Sequence, residues 1–227
     1  MKKLIFITLV IAALIALCIA PAFSQIVHLH LKYYDVTFDE SKKAPICNYY
    51  TFTKANLNNS GAKRSASFHQ DKLIPSKFQA SGKDYTVTNK LIGKDKDRTF
   101  DKGHLVPDDD MRMNKQSELS CMTYANTAPQ ISSFNEILWR GIETYVRNLG
   151  ANCDSIQIWT GCIYGPQSIG SGVSVPTYYY KVIRCYGSNT TAEAFICSNE
   201  PHTDKVVSHY IVPISEIEAR TGLTFIR

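Results

Sequence analysis

The chain predicts a mixed α+β domain, and three features carry that expectation. Residues 132–149 place Phe134, Ile137, Leu138, Ile142, Tyr145, Val146 and Leu149 on one face at helical spacing, with serines before them and Gly150 after. Short apolar runs then follow at 155–160, 178–185, 192–197 and 206–212, most of them separated by brief turn-forming stretches. Finally, 227 residues that are 44% hydrophobic, with 12 Gly and 9 Pro, can build one real core. That composition excludes a collagen-like, low-complexity or wholly disordered chain. One long helix followed by strands that are mostly joined by short turns gives mixed α+β.

Taken in order, Met1-Lys2-Lys3 ahead of an apolar run that ends near Ala20, followed by Ala22 and Ser24, reads as a secretory signal peptide over residues 1–24. Cleavage falls after Ser24 or, alternatively, after Ala22, and an uncleaved anchor is the competing reading. Secretion, extracellular or periplasmic, follows from it. Loss of this segment removes two lysines and one cysteine and leaves 23 basic against 20 acidic residues and six cysteines. The mild basic excess permits a polyanionic partner without demonstrating one. No later run reaches the length of a membrane span, so no membrane contact is expected after cleavage.

Residues 25–44 read as an N-terminal extension and 45–227 as the functional domain. In the extension, 26–31 alternates as a short strand-like arm, with His28 and His30 as surface residues. Residues 45–52 are rich in aromatics and read as an early strand, and Asn58-Asn59-Ser60-Gly61 marks a loop. The lysine-rich stretch 79–103, with Gly82, Gly93 and Gly103, reads as a long surface loop. Residues 214–222 end the chain's pattern as a short capped helix. Asn58-Asn59-Ser60 and Asn189-Thr190-Thr191 also match the N-glycosylation pattern.

Six scattered cysteines in an exported chain predict three disulfides rather than a zinc site. A hairpin around Gly187-Ser188-Asn189 would join Cys185 to Cys197. Cys153 and Cys162 bracket an extended strand of roughly 30 Å and cannot meet, so Cys47 takes one of them and Cys121 the other.

The residues that carry chemistry are Phe100-Asp101-Lys102-Gly103-His104-Leu105-Val106-Pro107, then Asn126-Thr127-Ala128-Pro129-Gln130, then Asn135, Trp139, Glu143 and Arg147. In this order and spacing they resemble the DNA/RNA non-specific endonucleases, whose ββα-metal finger carries an Asp-Arg-Gly-His signature, an Asn-x-x-Pro-Gln segment and a metal-binding asparagine that opens a helix. Trp159-Thr160-Gly161, Pro176-Thr177-Tyr178-Tyr179-Tyr180-Lys181-Val182 and Ala219-Arg220-Thr221-Gly222-Leu223 extend the resemblance over roughly 45–226.

The resemblance implies a central antiparallel sheet with flanking helices and a role for each residue. His104 is the general base, which its chemistry independently favours, because neutral imidazole takes a proton near pH 7. Asn135 is the single direct protein ligand of a divalent cation, Mg²⁺ or Mn²⁺, which keeps several waters and takes its remaining ligands from phosphate. Glu143, about 12 Å further along the helix, cannot share that ion directly and holds metal-bound waters, with Asp101 organising the same waters. Arg64, Lys102 and Arg147 neutralise phosphate charge. Lys102 departs from the family's arginine and loses its bidentate fork. Asn126 and Gln130 support the site or contact phosphate.

Asp108-Asp109-Asp110 reads as a solvated turn rather than a second metal site, and 178–181 as a sheet strand rather than a base-stacking platform. The resemblance implies sugar-non-specific cleavage of DNA and RNA to 5′-phosphorylated products, and such a reaction needs backbone contacts with little base readout. A weak or inactive nucleic-acid-binding protein and a small-nucleotide phosphodiesterase remain as alternatives, the first supported by Lys102. An inhibitor protein or a second copy of the chain is a further partner class left open.

Overall fold

The computed structural model describes residues 25–57, 61–64 and 67–225. The expected signal segment and the Asn58-Asn59-Ser60 pattern lie outside these residues. Alternating side chains form strands β1 (Ile26–His30), β2 (Asp35–Asp39) and β3 (Ala44–Thr53) before the motif region. A short two-stranded antiparallel ribbon of β4 (Phe100–His104) and β5 (Thr127–Ile131) follows. Strands β6 (Ser155–Ile169), β7 (Val173–Tyr186) and β8 (Thr191–Ser198) complete a six-stranded antiparallel sheet in the order β1-β2-β3-β6-β7-β8. Residues 25–44, read as an extension, therefore contribute strands to the same sheet.

Period-two alternation assigns the two faces of that sheet. On β7, Tyr179 and Ile183 enter the larger core beneath the ribbon, whereas Tyr180 and Val182 enter a smaller core on the opposite face, beside Ile217 and Phe225. Ile217 comes from α4 (Ile214–Thr221), which ends at Gly222 in the left-handed region at φ 71°, as a helix-terminating glycine should. Among the described residues no helix is long and apolar enough to cross a membrane.

Several expectations give way to tertiary context. The stretch 79–103 contains a helix, α1 (Gly82–Ile92), initiated by Asp84, whose Oδ2 accepts from the Ser81 amide and hydroxyl. Its Asn89 then bonds both the amide and the carbonyl of Phe100, which fixes the start of β4. A second helix, α2 (Lys115–Cys121), is capped by Asn114 and was not anticipated. Residues 206–212 are not a strand: Val207–Tyr210 is a 3₁₀ turn, and only Ile211 bridges to Phe195.

The disulfide scheme is also corrected. Cys153 pairs with Cys185, while Cys47, Cys121, Cys162 and Cys197 are buried free thiols. Cys185 lies opposite Thr191 and Cys197 opposite Tyr179, so the register separates them by six positions along the hairpin, about 20 Å. Cys153 instead follows the helix and lies beside β7's turn, where Asp154 bonds the Tyr186 carbonyl.

Residues 132–150 are helical throughout but not uniformly α. A first turn (Ser132–Phe134) leads into a π-turn (Asn135–Trp139) and then α3 (Arg140–Gly150). The π-turn rotates the phase of the apolar stripe: Ile137, expected inward, is 42% exposed, and Trp139 is fully buried in its stead. The serines do not cap this helix. Ser132 Oγ donates to Asp101 Oδ1 at 3.0 Å, so the hydroxyl orients a carboxylate instead.

Candidate active site

The ββα unit is fastened to the sheet by Asn199, whose side chain accepts from the Ile131 amide and donates to the carbonyls of Pro129 and Pro176. Gly103 sits in this ribbon because the Gln130 side chain lies against it. A Cβ at that position would approach Gln130 Oε1 to 2.2 Å. Between the ribbon, α1 and the 132–150 helix opens a cleft of about 550 Å³. It brings together Arg64, Asp101, Lys102, His104, Asn135 and Glu143, six of the nine residues singled out from the sequence.

His104 ends β4 with its ring 5.0 Å from Phe68, and its Nε2 is buried without a hydrogen-bond partner among the described residues. Burial, reinforced by the Arg64 charge, pulls its pKa down to about 3, so the imidazole is neutral. The strand end is held by Trp139, whose Nε1 donates to the His104 carbonyl at 3.3 Å.

Asn135 opens the π-turn, and its Nδ2 donates to Asp101 Oδ2 at 2.9 Å. That bond commits the amide's donor end and leaves its carbonyl oxygen as the ligand end. The carboxylates of Asp101 and Glu143 in the same cleft add oxygen acceptors for bound waters, which suits a hard divalent cation that keeps its waters. Among the described residues no cluster of three or more His, Cys, Asp or Glu could hold a metal. Glu143 is half-buried, and desolvation raises its pKa against the lowering effect of Lys181 and Arg147.

Lys102 answers its departure from arginine structurally. Its ammonium lies 5.3 Å from the Phe68 ring and 5.4 Å from the Tyr85 ring, a pair of cation–π contacts that holds the charge at the cleft wall.

The remaining three residues lie elsewhere. Arg147 is not in the cleft: its Nε donates to Asp110 Oδ1 at 2.9 Å, and its Nη2 lies 3.7 Å from Asp109. Asn126 is fully buried, bonding the Val106 amide, the carbonyls of Val106 and Cys121, and Asn48, so it braces the loop after His104. Gln130 is fully buried under Gly103. The acidic triplet is not a solvated turn either. Asp108 and Asp110 are buried and pair with Arg112 and Arg147, because the 3₁₀ turn Asp108–Met111 folds back over the helix.

Sequence reasoning missed three cations. Arg140 lines the cleft and is exposed. Its position three residues before Glu143 was the available signal. Arg112 also lines the cleft but is engaged by Asp108 and Asp109. Lys181 lies fully buried beneath the site. Its alternation with Tyr179 and Ile183 was the signal that it faces the core.

A model of the DNA/RNA non-specific endonuclease family matches residues 19–227. Endonuclease G, mitochondrial, of Bos taurus is 25% identical over 186 residues, 75% of this chain and 59% of its own. Nuclease 1, mitochondrial, of Schizosaccharomyces pombe is 28% identical over 212 residues, 84% of this chain and 63% of its own. The chain thus matches under two thirds of the length of these relatives. A solved structure of the EndoG/EndoGI complex superposes with a TM-score of 0.74 at 24% identity, covering 87% of this chain and 84% of that one, which supports the ββα-metal fold. Both relatives are mitochondrial nucleases by name, and the secreted location expected from the N-terminal segment is withdrawn on that finding.

Proposed function

We propose, from the premise that the chain belongs to the DNA/RNA non-specific endonuclease family, that it hydrolyses phosphodiester bonds of both DNA and RNA with His104 as general base. The observation that supports this most directly is the convergence of neutral His104, Asn135, Asp101 and Glu143 on one cleft walled by Lys102 and Arg64.

With Nε2 buried, Nδ1 is the nitrogen left to accept a proton from an attacking water. The low pKa of His104 suits an empty site. A phosphate anion seated against the ring favours imidazolium and strengthens the base when substrate is present. Asn135 would hold the divalent cation, Mg²⁺ in this proposal, while Asp101 and Glu143 orient its waters. An ion held there would supply charge stabilisation for the transition state and the leaving oxygen. Asp101 also fixes the Asn135 amide so that its oxygen, not its nitrogen, addresses the cleft. Lys102, Arg64 and Arg140 meet phosphates flanking the scissile bond. These are backbone contacts, so the reaction needs little base readout. Water attack that breaks the bond from phosphorus to the 3′ oxygen leaves the 5′-phosphorylated products expected of the family. The relatives' mitochondrial location is the one proposed here, and an inhibitor protein covering the cleft is a partner class consistent with the EndoG complex.

The test is incubation of the purified protein with plasmid DNA and total RNA, in Mg²⁺ and in EDTA, beside His104→Ala. Both substrates should be degraded only with metal, and the variant should lose about 10²- to 10⁴-fold in rate. A His104→Ala protein that cleaves at the normal metal-dependent rate would overturn the assignment.

A further inference from the structure

Beneath the cleft lies a lysine that the proposed reaction does not yet use. Lys181 is fully buried on β7, between Tyr179 and Ile183 on the core face, where an apolar side chain would be the inexpensive choice. Its ammonium bonds Thr160 Oγ1 at 3.3 Å and the Leu105 carbonyl at 3.5 Å, and it lies 5.0 Å from the Trp139 ring. Among the described residues no carboxylate comes within 4 Å of it.

These contacts converge on the machinery. Leu105 is the residue after His104, and Trp139 is the side chain that holds the His104 carbonyl. Trp139 also stands one residue before α3, which carries Glu143. Glu143 makes no direct ion pair among the described residues. The buried cation that acts on it alongside Arg147 is Lys181, and Lys181 also acts on Asp110, itself anchored by Arg147 and by the Tyr50 hydroxyl at 2.7 Å.

We infer that Lys181 is a positioning residue for phosphodiester cleavage, tying the strand end that bears His104 to the helix that bears Glu143 and setting the Glu143 carboxylate by its charge. The inference rests on the nuclease reading above. Lysine suits the task because its compact charge can serve several neutral oxygens and two carboxylates from one buried point. A purely structural lysine would contribute to folding alone and would leave turnover by the folded protein unchanged.

The test compares wild type, Lys181→Met, Glu143→Gln and the double variant, each confirmed folded by its melting curve in EDTA. For duplex DNA in Mg²⁺, Lys181→Met is expected to lower kcat by about 100-fold with KM within about twofold. On the Glu143→Gln background the same change should cost about tenfold, because the share that acts through that carboxylate is already lost while the tie to the His104 strand end remains. Mn²⁺ affinity, read by calorimetry without nucleic acid, should weaken about tenfold in both single variants. A near-normal kcat in Lys181→Met, an equal loss on both backgrounds, or unchanged Mn²⁺ affinity beside a weakened Glu143→Gln would each overturn the inference. If Lys181→Met does not fold, Thr160→Val keeps the ammonium and removes one anchor. It should lower kcat about tenfold at constant KM, and an unchanged kcat overturns the proposal. Wild type that cleaves neither DNA nor RNA would instead remove the nuclease reading and this inference with it.

Discussion

The rim and the floor of the cleft use the same kinds of side chain for different work. At the rim, Arg64 and Arg140 are exposed, and Lys102 is half-buried against two aromatic rings. On the floor, Lys181 and Asp110 are buried, and Arg147 is pinned to Asp110 by a 2.9 Å bond. A rim cation faces water and can exchange it for phosphate. A floor cation has already been desolvated and is committed to internal partners, Asp110 for Arg147 and the Thr160 hydroxyl and Leu105 carbonyl for Lys181. Burial therefore decides whether a charge binds substrate or holds the machinery in place, and residue type alone does not reveal which.

The largest expected effect breaks the floor. Arg147→Met leaves Asp110, whose pKa burial already raises, without its closest cation. Removing one partner of a buried pair costs about 3–5 kcal/mol, and partial exposure of Arg147 reduces this to about 2–3 kcal/mol. Denaturant unfolding should show that loss, and adding Asp110→Asn should recover part of it. A single variant as stable as wild type would place Arg147 at the rim after all.

His104 lies between the two regions, buried like the floor and close to Arg64 of the rim. Its folded pKa of about 3 lies below the ordinary value of 6.5, so the unfolded chain takes up a proton first as pH falls. The contribution of neutral His104 is complete above pH 6.5 and is lost as pH falls from 6.5 toward about 3. At roughly 1.4 kcal/mol per unit, the loss reaches about 2 kcal/mol at pH 5. In EDTA, the drop in stability between pH 7.5 and pH 5 should be smaller in His104→Gln by that amount. Parallel drops would mean that water reaches the ring freely.

Strand patterns made most of the sheet legible, because alternation and turn residues act locally. The 132–150 helix was legible for the same reason, but its π-turn was not. That turn is set by Trp139 finding the His104 carbonyl and Asn135 finding Asp101, partners more than thirty residues away. Long-range partners also explain Asn126, and burial against Gly103 explains Gln130. An amide that braces a loop and one that touches phosphate look identical in sequence, and only burial separates them. Arg147 was assigned to phosphate because the family resemblance places an arginine there, while the triplet Asp108-Asp109-Asp110, which folds back to claim it, read as a solvated turn. The helix at 82–92 was hidden by its lysines, although Ser81 and Asp84 marked its start.

At the rim, Arg140→Ala should sharpen the contrast. The residue is exposed and lines the cleft, so its loss should leave the melting temperature unchanged. Affinity of a catalytically silent protein for duplex DNA should weaken by about 1 kcal/mol, and the slope of log affinity against log salt should fall by about 1. Arg147→Met, acting on the floor, should leave that slope unaltered. An unchanged slope in Arg140→Ala would remove it from the phosphate contacts.

The smallest effect belongs to Lys102→Arg, which changes how a rim charge is held without changing the charge. Phe68 and Tyr85 grip the ammonium from two sides, so much of the ordering that a phosphate contact demands is already in place. A guanidinium would stack on the same rings and add a second parallel hydrogen bond to phosphate. Its greater length would, however, move the charge outward from the position the rings define. The expected net is a gain of about threefold or less in DNA affinity, with the salt slope unchanged because the number of neutralised phosphates is the same. Fluorescence anisotropy across a salt series separates the two quantities. A large gain in affinity would show that the aromatic grip contributes little and that lysine merely weakens the clamp. A loss would show that the pair of rings is shaped for the ammonium, and Phe68→Leu should then restore tolerance of arginine.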